Sequence, residues 1–104
     1  MDSQVTDGSR GTGINLTGAA AENATGTISG NLVKNYGLST SANDAGILIY
    51  YTTGVTINGN SIIYPSPNGI SLVIGNKGTS ITGNVVIDPW TNSVSVGGVQ
   101  GLIT

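Results

Sequence analysis

A chain of 104 residues is long enough for one domain. Three Lys or Arg against five Asp or Glu give a net charge of −2, so there is no basic field to hold nucleic acid. The absence of Cys excludes a disulfide framework and thiol chemistry, and no run approaches the roughly 18 apolar residues of a membrane span.

Residues 1–12 are polar and lack the apolar stretch of a signal peptide. They are expected to be flexible or a partial cap, and Met1 reads as a start codon added to an excised fragment. From Gly13 onward, short β-branched runs alternate with Gly, Asn, Thr and Ser, which is the pattern of strands and not of helices. The best helical candidate is Ala19–Ala24, about one turn.

Two phrases recur. One is Gly13-Ile14-Asn15-Leu16, then Gly46-Ile47-Leu48-Ile49, Gly69-Ile70-Ser71-Leu72 and Ser93-Val94-Ser95-Val96. The other is TISGNLV from Thr27, VTINGNSII from Val55 and SITGNVVI from Ser80. Ile47 precedes Ile70 by 23 residues, and Ile70 precedes Val94 by 24. Ile14 to Ile47 is 33, so the first repeat carries extra loop. A fixed order of three short strands recurring once per repeat predicts strands that keep one direction. Alternation places Ile14, Leu16, Ile47, Ile49, Ile70, Leu72, Val94 and Val96 inward. Ile28, Ile57 and Ile81 form a second column, and Val33, Ile62 and Val86 a third.

This repeat resembles the right-handed parallel β-helix of the pectate-lyase-like superfamily, over Gly13 to the C-terminus. The resemblance implies an all-β, single-stranded solenoid of about four coils of roughly 23 residues, covering residues 13–104. The chain stops near where another Ile-x-Gly-Asn is due, which reads as a fragment of a longer protein or an oligomer that covers the open surface. Asn31, Asn60 and Asn84 fall at one bend. They are expected to take the left-handed backbone there and to bond from coil to coil as a structural asparagine ladder.

Enzymes of the superfamily work along the first sheet, whose outward positions here are Asn15, Leu48, Ser71 and Ser95, with Tyr50 and Val73 further along. None is charged. Five scattered carboxylates do not form a calcium site, which takes six to eight oxygens, and Arg10 lies before the first coil. Neither a metal nor a cofactor is expected. Asp44 and Asp88 share one loop edge, two strand spacings or about 10 Å apart, against the ~6.5–9.5 Å of an inverting glycosidase pair. They are candidate catalytic acids, although a single Asp in such a loop is commonly a turn residue. The fragment alone is not expected to be an enzyme.

The same edge carries Tyr36, then Tyr64 with Asn68, then Trp90 with Asn92. Aromatic rings beside amides suit sugars, whose C–H faces pack on the ring while hydroxyls take hydrogen bonds. The competing reading is that these rings pack on loop backbone or on another subunit. Gly8–Gly13 lacks the context of a phosphate loop, and Asn23-Ala24-Thr25 matches a glycosylation triplet that chance supplies in so Asn-rich a chain.

Among β-helices, the low charge and short aliphatic strands most resemble bacteriophage tailspikes and tail appendages. That resemblance implies a virion or extracellular setting, a homo-oligomer, by analogy a trimer, and contact with a host polysaccharide or teichoic acid. It implies no nucleic-acid or membrane partner. The alternatives are a fragment of a polysaccharide lyase or glycoside hydrolase of the same fold, and a bacterial surface or secreted β-helix.

Overall fold

The computed structural model describes residues 4–6, 13–34, 45–63, 68–87, 92–96 and 99–100. They form an all-β arrangement with no helix. In chain order the strands are β1 (Gln4–Thr6), β2 (Ile14–Thr17), β3 (Thr27–Ser29), β4 (Leu32–Lys34), β5 (Ala45–Tyr50), β6 (Thr56–Asn58), β7 (Ser61–Ile63), β8 (Asn68–Leu72), β9 (Asn76–Lys77), β10 (Ser80–Thr82), β11 (Val85–Ile87), β12 (Asn92–Val96) and β13 (Val99–Gln100). Every pairing between them is parallel.

The chain visits its sheets in a constant order. One pass is β2–β3–β4, the next β5–β6–β7, the next β8 through β11. Equivalent strands then lie side by side, giving a first sheet in the order β12-β8-β5-β2, a second in the order β10-β6-β3 and a third in the order β1-β4-β7-β11. A fourth sheet of two strands, β13-β9, was not anticipated. Register follows the repeated phrases: Ile14 faces Ile47, which faces Ile70, which faces Val94. Ile28, Ile57 and Ile81 align in the second sheet, and Val33, Ile62 and Val86 in the third.

The core sits between the three sheets. Ile28, Val33, Ile47, Ile49, Val55, Ile57, Ile62, Ile70 and Leu72 are buried and pack as one cluster, with Leu16, Ile81 and Val86 against it. Burying one such aliphatic side chain contributes about 2–3 kcal/mol. β-branched residues suit these positions because their stiff side chains pack well on a pleated surface. The Gly that opens the first phrase has a steric reason. A Cβ on Gly46 would lie 2.5 Å from Ile62 Cγ2, so only glycine lets the first and third sheets approach here.

Three expectations are corrected. At the bend of the second phrase it is Gly, not Asn, that takes the left-handed backbone: φ is 66° at Gly30 and Gly59 and 63° at Gly83. The segment Ala19–Ala24 is a tight reversal instead of a helical turn. Ala19 and Glu22 exchange both backbone hydrogen bonds, at 2.9 and 3.0 Å. The outward face of the first sheet is not open along its length either. Leu48 and Ser71 are buried although neither belongs to the core cluster. β5 and β8 are covered on both faces, as parallel strands usually are.

Candidate functional site

The asparagine column is hydrogen-bonded from end to end. Asn31 donates its backbone N–H and its Nδ2 to Asn60 Oδ1, at 3.0 and 2.8 Å. Asn60 does the same to Asn84 Oδ1, again at 3.0 and 2.8 Å. The second proton of each amide goes to backbone: Asn60 Nδ2 reaches Ile28 O at 3.0 Å, and Asn84 Nδ2 reaches Ile57 O at 2.9 Å. Asn31 and Asn60 are buried. These amides are spent on one another and on backbone, so the column reads as scaffold.

A second buried polar column escaped the sequence reading. Thr52 Oγ1 donates to Asn76 Oδ1 at 2.7 Å, and Asn76 Nδ2 reaches Ile49 O at 3.4 Å. Thr52, Asn76 and Thr79 are all fully buried, and Thr79 Oγ1 has no hydrogen-bond partner. The signal was present: Val73-Ile74-Gly75-Asn76 is one more Gly-Asn pair behind β-branched residues, but Lys77-Gly78 follows it in place of the apolar residues that come after the other three.

Of the proposed loop-edge residues, Tyr36, Asp44, Tyr64, Asp88 and Trp90 lie outside the described residues. Asn92 opens β12 directly beside Asn68, which opens β8. Asn68 is only 1% exposed, so its amide cannot meet a sugar; Asn before Gly-Ile reads as loop, yet the strand begins with it and takes it inside.

The accessible aromatic surface among the described residues is at the corner after the first sheet. Tyr50 and Tyr51 meet edge to face, with ring centroids 4.6 Å apart and planes at 86°. Both are half-buried. Tyr51 is the one described residue other than glycine with a positive φ, 53°, a conformation costly for a bulky side chain. Its N–H donates to Ile74 O at 2.9 Å, and its ring occupies the space where a Cβ on Gly75 would lie. Ile74, 44% exposed, extends the apolar surface. Thr17, beside Tyr50 in register, donates through Oγ1 to Asn15 Oδ1, and both are exposed. The corner thus joins ring edges, an aliphatic side chain and neutral hydrogen-bonding groups, a combination that suits polyols. Glu22 is the only acid among the described residues.

No family profile, curated protein or solved structure matches the chain.

Proposed function

We propose that the chain is a stretch of right-handed parallel β-helix with a structural and adhesive role, a shaft segment that holds an aromatic edge against a carbohydrate polymer. The observation that carries the reading is the Asn31–Asn60–Asn84 ladder running through sheets that keep register over three passes. Such stacking suits a stiff, elongated element, because each pass supports the next along one axis. The repeat phrases resemble those of bacteriophage tailspikes and tail appendages. The proposed setting is therefore a virion or the extracellular space, the proposed state a homotrimer, and the proposed ligand a host cell-surface polysaccharide or teichoic acid. The Tyr50–Tyr51 corner supports the adhesive part, since a strained, accessible aromatic residue is a feature that stability alone does not favour.

Pulldown on purified cell-wall polysaccharide and teichoic acid tests this. The wild-type chain is expected to be retained, and Tyr50→Ala to weaken retention about fivefold, the scale of one lost aromatic contact. Tyr64→Ala and Trp90→Ala test the loop edge in the same assay. Equal retention of all three variants would remove the adhesive role. Light scattering is expected to give three times the chain mass, and a monomer at high concentration would remove the trimer. Release of reducing ends or unsaturated products, abolished by Asp44→Asn and Asp88→Asn, would favour an enzyme fragment instead.

A further inference from the structure

Glycine takes the left-handed backbone at each bend of the second phrase, but the residue before it changes: Ser29, then Asn58, then Thr82. The middle bend alone is therefore an Asn-Gly pair. The chain has one other such pair, Asn68-Gly69. In Asn-Gly the backbone nitrogen can attack the preceding side-chain amide with little hindrance, because glycine has no Cβ and a freely turning backbone.

The fold treats the two pairs differently. Asn68 and Gly69 are buried in β8, and Asn68 stands between Ala45 on β5 and Asn92 on β12. Asn58 and Gly59 are exposed. Their strand, β6, is the middle one of its sheet, with β3 and β10 on either side, so the exposure is that of an outward face and its bend. The two hydrogen bonds that hold the reacting groups are long. Asn58 Nδ2 donates to Thr82 Oγ1 at 3.2 Å and Gly59 N–H to Thr82 O at 3.3 Å, against a usual length of about 2.9–3.0 Å. Chain neighbours aside, no atom lies within 4 Å of where a Cβ on Gly59 would stand, which leaves room for water and for ring closure.

We infer that Asn58-Gly59 is a self-modification site, at which the chain deamidates through a succinimide while Asn68-Gly69 is protected. The Gly59 nitrogen gives its proton to hydroxide and attacks Asn58 Cγ. A new C–N bond closes the ring, the Cγ–Nδ2 bond breaks, and Nδ2 leaves as ammonia. Water then opens the ring at either carbonyl, giving an aspartate at position 58 or an isoaspartate joined to Gly59 through its side chain. Both products place a negative charge on a face whose outward residues are Thr27, Ser29, Thr56, Asn58, Ser80 and Thr82, all neutral. The isoaspartate also lengthens the backbone by one atom just ahead of Gly59 and Asn60. It therefore displaces Asn60 from its bonds to Asn31 and Asn84. The inference rests on access to one bend and is independent of the proposed carbohydrate contact.

The test is incubation of the full chain in mildly alkaline buffer, followed by NMR of the side-chain amides and by intact mass. The Asn58 amide signal is expected to disappear at least about tenfold faster than that of Asn68, which must wait for local opening of β8. In concentrated urea, where both pairs are open, the two rates should come together. Asn58→Ser gives the middle bend the residue type of the first, so the folded spectrum should persist while the fast mass increase is lost. In the isoaspartyl product, separated by ion exchange, the Asn31 and Asn60 amide signals should shift. A persistent Asn58 signal, equal rates in the folded chain, or the same preference in urea would each overturn the inference. So would an undiminished mass increase in Asn58→Ser.

Discussion

Asn60 donates two hydrogen bonds to a single atom, Asn84 Oδ1, one from its backbone N–H at 3.0 Å and one from its side chain at 2.8 Å. The same residue accepts two from Asn31 at its own Oδ1. Asn60 is therefore the middle of the ladder. Asn60→Ala removes the acceptor of two Asn31 donors and the side-chain bonds to Asn84 Oδ1 and Ile28 O, while the backbone N–H of residue 60 still reaches Asn84 Oδ1. The expected loss is about 3 kcal/mol, and thermal unfolding should fall by 10 °C or more, on the scale of roughly 4–8 °C per kcal/mol for a domain of this size. Asn84→Ala likewise removes the acceptor of two Asn60 donors, but at a part-buried position, and should cost somewhat less.

Position in the stack should also grade the aliphatic residues. Ile57 is fully buried between Ile28 and Ile81. Ile57→Ala is expected to cost about 3 kcal/mol in urea denaturation, the transfer term plus the cavity. Ile87, 42% exposed on β11, should lose under about 1 kcal/mol on the same change.

Thr79 offers a stabilising substitution. Its hydroxyl is buried and unpartnered, and in register it follows Val55 one strand earlier. Thr79→Val removes the unpaired group at nearly constant shape. It should raise stability by about 1 kcal/mol, read as a higher urea midpoint at unchanged slope.

Two glycines separate backbone strain from crowding. Gly59 has φ 66° and open space around its missing Cβ, so Gly59→Ala should cost about 1–2 kcal/mol through backbone alone. Gly46→Ala meets Ile62 Cγ2 at 2.5 Å and should cost about 1–3 kcal/mol. Ile62→Ala, which removes Cγ2, should combine with Gly46→Ala to less than the sum of the two separate losses and with Gly59→Ala to the full sum.

These residues also show how far the sequence carries. The columns of Ile and Asn were legible because spacing alone aligns them: Asn31, Asn60 and Asn84 stand 29 and 24 residues apart, and those separations are the ones that hydrogen-bond. Which residue of Gly-Asn takes the left-handed backbone was not legible, since both tolerate it and the glycine does so at no steric cost. Alternation told that Leu48 and Ser71 face away from the core. It could not tell that this face is covered, because cover depends on what packs there and not on the strand's own period. The burial of Asn68, which the sequence puts on the sugar-binding edge, and the role of Asn76 were not legible for a related reason: a buried Asn is recognisable only through what packs around it. Tyr51 had no signal at all, since its left-handed φ stands where the following pass uses Gly75.

The central claim is that successive passes stack in parallel at one register, and a cysteine pair tests it most directly in a chain with no native Cys. Asn58 and Thr82 are register partners on β6 and β10, both exposed, with Asn58 Nδ2 donating to Thr82 Oγ1 at 3.2 Å. Neighbouring strands stand ~4.8 Å apart, within the usual Cα separation of about 4.4–6.8 Å for a disulfide. Under mild oxidation Asn58→Cys with Thr82→Cys should cross-link within one chain nearly completely. Asn58→Cys with Ser80→Cys, displaced by two residues or about 8 Å from strand spacing and rise, should remain reduced. Cross-linking of the displaced pair in preference to the register pair would contradict the stacked arrangement.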